Sequence, residues 1–144
     1  MPSGLGAFAL QAQGKEADFL YKNNLTQNVF VIEIKTPLKK IIDTRKPYRK
    51  PDVFALGKEL TGGLVQLLDQ KDSLQKEFYS LAKSGEFKSF NPRGLLVIGK
   101  IKDLSKPQLK SFELFRSNLR DVEIITYDEL LERTDLILKQ FIKP

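Results

Sequence analysis

Two carboxylates and one amine are spaced along residues 17–37 in a way that suits metal-dependent chemistry. The segment reads ADFLYKNNLTQNVFVIEIKTP, with apolar runs at 18–22 and 29–36 on either side of a polar stretch at 23–28. Two such runs around a loop rich in Asn and Gln predict a β-hairpin.

The hairpin brings Asp18 and Glu33 together. If the loop is centred between Leu25 and Thr26, paired residue numbers sum to 51, and Asp18 lies directly opposite Glu33. Two like charges on directly opposite residues of paired strands repel each other unless a cation compensates them. Lys35 follows two residues later and points to the same face, because strand side chains alternate. The spacing therefore predicts a patch of two acids and one ammonium around a divalent cation.

Composition limits which metal this patch can hold. The chain has 144 residues, 41% of them hydrophobic and 29% charged, which describes one ordinary globular domain over residues 1–144. It contains no cysteine and no histidine, so oxygen atoms must bind any metal, which favours Mg²⁺ or Mn²⁺. No apolar run approaches the roughly 20 residues of a membrane span, and no secretory signal is apparent. We therefore expect a cytoplasmic protein without membrane contact.

The basic charge is concentrated directly after this patch. Residues 36–58 hold seven basic residues against two acidic ones, whereas the whole chain has a net charge of +6. Three prolines make this stretch a long irregular connection, and such connections are often functional. A basic cluster is an electrostatic footprint for a polyanion, although a solvated loop is the common alternative. The candidate nucleic-acid contacts are Lys39, Lys40, Arg45, Lys46, Tyr48, Arg49 and Lys50.

The remaining pattern predicts alternating helices and strands. Residues 58–83 form a helix with an apolar stripe, and a helical wheel puts Gln66 and Gln70 away from that stripe. An apolar run at 94–100 predicts a buried parallel strand. A second helix is predicted to begin with Ser105 as its cap, Pro107 in the first turn and Gln108 three residues after the cap. A strand at 122–127 follows, then a helix capped by Asp128, whose apolar residues have clean helical spacing.

The spacing of Asp18, Glu33 and Lys35 resembles the PD-(D/E)xK nuclease superfamily. The wider chain, with ADFLYKN, VFVIEIKTP, GGLVQLLDQ and RGLLVIGK, is similar to the nuclease domain of Shedu-type antiphage defence proteins. The family often carries a glutamine followed four residues later by a tyrosine on the helix behind the site. Gln66 matches that glutamine, whereas Gln70 stands where the tyrosine would be.

The resemblance implies a restriction-endonuclease-like α/β fold, with a mixed central sheet flanked by helices. That sheet joins an antiparallel hairpin to a parallel continuation. It also implies a Mg²⁺-dependent DNA endonuclease of antiphage defence, in which Mn²⁺ can substitute. Asp18, Glu33 and the backbone carbonyl of Ile34 would bind metal, while Lys35 and Gln66 would assist the reaction. We expect DNA as partner and a homo-oligomer, whose contacts can lie in regions outside this chain.

Two alternatives stay open. The chain could be an inactive nucleic-acid-binding or assembly module on a nuclease-like scaffold, or a purely oligomerising piece of a larger defence protein. A leading helix with a further acidic residue, usual in the family, is not recognisable here.

Overall fold

The computed structural model describes the backbone of residues 11–12, 15–16, 19–22, 29–82 and 91–142, and the side chains of residues 29–77 and 91–142. The chain divides into two compact units. The first contains the described parts of Met1–Ile34 and Gly63–Leu96, with Arg120–Glu123. The second contains Lys35–Gly62, Val97–Leu119 and the described part of Ile124–Pro144.

The elements alternate between strands and helices. They are, in chain order, β1 (Gln11–Ala12), β2 (Lys15–Glu16), β3 (Phe19–Lys22), β4 (Val29–Ile34), α1 (Lys58–Ala82), β5 (Arg93–Val97), a 3₁₀ turn (Ile101–Asp103), α2 (Lys106–Arg116), β6 (Val122–Ile125) and α3 (Tyr127–Phe141). None of these described helices is long and apolar enough to cross a membrane.

One sheet has the strand order β3, β4, β5, β6, and a second small sheet pairs β1 with β2. β3 and β4 are antiparallel, with Phe19 opposite Ile32 and Lys22 opposite Val29, so the paired numbers sum to 51. The predicted loop at 23–28 lies outside the described residues.

The other strands of the large sheet run parallel. Gly94 N–H donates to the carbonyl of Asp121, and further along both strands Ile98 N–H donates to the carbonyl of Ile125. Partner numbers that rise together define a parallel pair. The α/β class and the predicted parallel continuation are confirmed.

Helix α1 buries Leu60, Leu64 and Leu67 as predicted, but its buried face is rotated relative to the predicted stripe. Its buried side is formed by Leu60, Gly63, Leu64, Leu67, Gln70 and Lys71, whereas Leu68 is 45% exposed. At about 100° per residue, these positions cover an arc that begins near Gln70 and ends near Leu64. The prediction that Gln70 lies away from the buried stripe is therefore wrong. Leu64 marks the edge of that stripe and not its centre.

In the second unit, α2 holds the long basic connection in place. Its start is a complete capping box between Ser105 and Gln108, as predicted. The Gln108 side-chain amide also donates to the carbonyl of Thr44 at 3.1 Å, and Ser111 Oγ accepts from Phe54 N–H at 3.0 Å. The connection is thereby attached to a regular element at two points along its length.

Helix α3 differs from the prediction at its start. Thr126 is the N-cap and forms the capping box with Glu129. The Asp128 carboxylate instead accepts from the backbone N–H groups of Ile101 and Lys102, both at 3.0 Å. The apolar residues of α3 have the predicted helical spacing, but no residue of α3 is buried and Leu131 is 70% exposed.

An ion pair joins α3 to α2 within the second unit. Arg116 Nη1 donates to Glu129 Oε1 at 2.6 Å, and the guanidinium lies 4.7 Å from the ring centroid of Phe112. Bidentate Arg–carboxylate contacts of this kind fix geometry as well as charge. The hydrogen bond with Glu129 raises the pKa of Arg116 despite partial burial.

Candidate active site

Strand β4 carries a carboxylate into the protein interior. Val29, Val31 and Glu33 lie on its buried face, with Glu33 only 2% exposed, while Ile34 on the other face is 39% exposed. The same alternation that buries the two valines therefore buries the acid. An ionised carboxylate is costly to bury unless hydrogen bonds or a cation stabilise it. Glu33 therefore does not face solvent.

The neighbour of Glu33 on α1 is Gln70. Its side-chain Nε2 donates to Glu33 Oε2 at 3.2 Å, and the glutamine itself is only 7% exposed. Both residues belong to the first unit. This contact was missed from the sequence, where Gln70 counted only as a departure from the family's tyrosine. The predicted Gln66 is an exposed residue one helical turn earlier.

Lys35 has a fixed backbone within the second unit. Its N–H donates to the carbonyl of Val97 at 2.8 Å, and its own carbonyl accepts from the Tyr127 hydroxyl at 2.6 Å. These bonds extend the strand-like hydrogen bonding beyond the end of β4. The side chain of Lys35 is half-buried.

The predicted metal ligand Asp18, the residue before β3, lies outside the described residues. The predicted ligand Ile34 follows Glu33 at the end of β4. Within the part of the chain whose side chains are described, no three acidic, histidine or cysteine side chains cluster as a metal site would require. The Glu33 carboxylate supplies oxygen atoms, the type of ligand that Mg²⁺ prefers.

The basic connection is ordered and largely exposed. Tyr48 is 82% exposed, and Arg45, Lys46, Arg49 and Lys50 are exposed as well. Lys39 forms an ion pair with Glu59 at 3.3 Å. Among the described residues, no ion pair involves Arg45 or the other loop cations, namely Lys40, Lys46, Arg49 and Lys50. These five charges face solvent and are suited to a polyanion.

Comparison with known proteins identifies the family. The family model described as "Shedu protein SduA, C-terminal" matches residues 3–131. The chain belongs to the Shedu family. The Shedu protein SduA of Bacillus cereus (strain B4264) is 37% identical over 134 residues, which cover 88% of this chain but 35% of that relative. The Shedu resemblance seen in the sequence is confirmed, and the chain spans about a third of the length of this relative.

Proposed function

We propose that this chain is a metal-dependent DNA endonuclease domain of restriction-endonuclease-like type. The observation that carries the proposal is the buried Glu33 carboxylate on β4, held by Gln70. A carboxylate at the end of a buried strand face serves no packing purpose that a valine would not serve better. A catalytic cation explains why an acid occupies that position.

Asp18 is the proposed second acidic ligand. Continuing the β3–β4 register by one residue beyond Phe19 and Ile32 would pair Asp18 with Glu33. Asp18, Glu33 and the carbonyl of Ile34 would then hold Mg²⁺, with Mn²⁺ as a substitute. When bound, Mg²⁺ supplies an activated nucleophile and stabilises charge on the phosphate.

The protein's own groups have separate tasks in this proposal. Gln70 keeps the Glu33 carboxylate in one orientation, a role typical of residues that support metal ligands. The Lys35 ammonium, on a backbone fixed by Val97 and Tyr127, orients the attacking water or neutralises the phosphate. Gln66 is retained as the group that positions the nucleophile. Its exposure allows contact with a bound substrate.

The loop cations supply the sequence-independent part of DNA binding. Lys and Arg contacts to phosphate release counterions, so this contribution weakens as salt rises. The proposal includes Lys39 and Tyr48, the latter stacking on a base or sugar. Family membership supports a role in antiphage defence, where we expect a homo-oligomer to act.

One observation favours the inactive module instead. The described residues supply a single buried carboxylate, and a degenerate site would retain Glu33 as a structural acid. This second candidate predicts DNA binding without cleavage.

Cleavage of supercoiled plasmid in Mg²⁺ or Mn²⁺ tests the proposal. Wild-type protein should nick the plasmid, and Asp18→Asn, Glu33→Gln and Lys35→Ala should each reduce cleavage to background while DNA binding persists. Glu132→Gln, an exposed carboxylate change on α3, is the matched control and should cut normally. Wild-type protein that binds DNA but cuts with neither metal would establish the inactive module.

A further inference from the structure

The second unit contains a cavity beneath the basic connection. It has a volume of about 300 Å³ and is lined by residues 38–45 together with Lys100, Asp103, Leu104 and Gln108. All of these residues belong to the second unit. We call this cavity the loop pocket. Its volume lies at the lower end of the range of about 300 to 1,000 Å³ that is usual for small-molecule sites.

Two glycines hold the wall of the loop pocket in one conformation. A Cβ on Gly57 would lie 2.8 Å from the carbonyl oxygen of Ile41, and a Cβ on Gly99 would lie 2.8 Å from that of Lys39. Gly99 also has a φ of 59°, in the left-handed region that favours glycine. The Gly57 N–H donates to Ile41 O at 2.7 Å. The backbone of the wall is therefore closely packed against Gly57 and Gly99.

Polar contacts fix the remaining wall. Asp43 Oδ2 accepts from Lys58 N–H at 3.0 Å at the start of α1, and the Gln108 amide donates to Thr44 O at 3.1 Å. Both side chains are thus engaged in holding the loop. A pre-formed wall lowers the entropy cost of binding a ligand.

The interior and the rim of the loop pocket differ in chemistry. Ile41 and Ile42 are buried and Leu104 is half-buried, whereas Leu38 at the edge is 83% exposed. An exposed leucine beside a cavity offers an apolar surface to a flat ring.

Cations surround this apolar surface. Lys40 and Arg45 line the loop pocket, and neither forms an ion pair with a described residue. Lys100 lies 3.7 Å from Asp103, and Lys39 is paired with Glu59. The two acids of the lining, Asp43 and Asp103, are both engaged with other groups. The net effect is a recess of mixed polar and apolar surface that carries positive charge.

We infer that the loop pocket binds one nucleotide unit, with the base against Leu38 and Leu104 and the phosphate at Lys40 and Arg45. The unit can come from an unpaired stretch of DNA or from a free nucleotide, since the recognised chemistry is the same. Single strands are usually bound by stacking of bases on aromatic side chains together with phosphate contacts. In the loop pocket, leucine side chains would supply the apolar surface in place of an aromatic ring. The inference rests on the proposed function only in taking DNA as the polyanion.

Binding experiments without metal test the inference in the Glu33→Gln protein, which retains every pocket residue and prevents cleavage. The probes are dAMP, deoxyribose 5-phosphate and a labelled single strand of about 12 nucleotides, a length within the usual site sizes. Arg45→Gln should weaken binding of dAMP and of the single strand about fivefold more than Arg49→Gln, which removes the same charge from the same loop outside the pocket. Leu38→Ser should weaken both more than Val53→Ser, another exposed apolar loop position.

Each outcome decides the inference. If deoxyribose 5-phosphate binds as well as dAMP, or if the pocket variants match their controls, the base site does not exist. If Arg45→Gln and Leu38→Ser, relative to their controls, weaken strand binding by a larger factor than dAMP binding, DNA is the source, and the reverse identifies a free nucleotide. Failure of wild-type protein to cut plasmid, with these binding differences intact, would overturn the nuclease proposal and leave the loop pocket standing.

Discussion

Gln70 on α1 donates a hydrogen bond to Glu33 on β4, and both side chains are buried. Among the described residues, this is the only direct contact between buried polar side chains of these two elements. The contribution of this hydrogen bond to stability depends on the cost of burying the Glu33 carboxylate without a donor. Removing one partner of a buried hydrogen bond leaves the other with an uncompensated desolvation cost of about 1–3 kcal/mol.

We expect Gln70→Ala to lower the free energy of unfolding by about 1–3 kcal/mol, because Glu33 loses a donor in the interior. Urea denaturation measures this change. Gln66→Ala, one turn earlier and exposed, is the control and should change stability by less than about 0.5 kcal/mol. Equal effects of the two substitutions would show that the contact with Glu33 contributes nothing to stability.

In the cleavage assay, Gln70→Ala should reduce activity about 10- to 100-fold, as loss of a residue that supports a metal ligand typically does.

A second residue-level prediction concerns Asp128 and pH. Burial acts to raise the pKa of this carboxyl, but hydrogen bonds from Thr126 and from the N–H groups of Ile101 and Lys102 outweigh it and lower the pKa to about 2. A depressed pKa means that the stabilisation is present above the unfolded value, near 3.8, and is lost as pH falls through about 2. Asp128→Asn should therefore be less stable than wild type at neutral pH, with the difference shrinking below pH 3.8.

Unfolding midpoints in urea across this pH range provide the measurement. Asp135→Asn, which removes only an exposed ion pair with Lys139, is the matched control and should have little effect at any pH. A gap between wild type and Asp128→Asn that persists unchanged at the acidic end would refute the assignment.

The site residues were only partly predictable from the sequence. An acid in an otherwise apolar strand identified Glu33, because burial of charge is rare and needs a reason. Gln70 was not predicted as a buried residue because the helical wheel was centred on Leu64. The observed buried arc is shifted toward Gly63, which places Gln70 inside and leaves Gln66 exposed. Glycine adds no hydrophobic signal to a wheel, although its small size lets a neighbour approach.

Glycine positions give the clearest prediction for whole elements. Gly62 lies inside α1, and a Cβ added there would have nothing within 4 Å, whereas a Cβ on Gly57 would meet Ile41 O at 2.8 Å. Gly62→Ala should stabilise the protein by about 0.5–1 kcal/mol through helix propensity and the unfolded chain. Gly57→Ala should destabilise it by about 1 kcal/mol or more, because the loop must move away. Thermal unfolding of the two variants should thus shift in opposite directions, and a shared direction would contradict the packing of the loop against Gly57.

The elements themselves were predicted unevenly. Local signals worked where the interaction is local, as in the capping box of Ser105 and Gln108 that starts α2. They failed at the start of α3, where Thr126 is the N-cap. Asp128 was misread as the cap because its partners, Ile101 and Lys102, are distant in sequence.

For the molecule as a whole, charge placement predicts how DNA binding responds to salt. The chain has a net charge of +6. The described ion pairs involve cations such as Lys76, Lys110 and Lys139. Five cations of one loop take no part in them and are exposed, namely Lys40, Arg45, Lys46, Arg49 and Lys50. Each phosphate contact contributes about −0.9 to the slope of log K against log salt. Five contacts give a slope of about −4.5 for a duplex.

Neutralising three loop cations should remove a defined part of that slope. The variant Lys46→Gln, Arg49→Gln, Lys50→Gln is expected to bind duplex DNA more weakly at low salt, with a slope shallower by about 2.7. The control neutralises Lys76, Lys110 and Lys139, which already pair with Asp72, Asp52 and Asp135. Both variants reduce the net charge from +6 by three, so a general charge effect would change both slopes equally and would refute the loop as the binding surface. Fluorescence anisotropy titrations at several salt concentrations, at constant pH and without divalent metal, separate the two results.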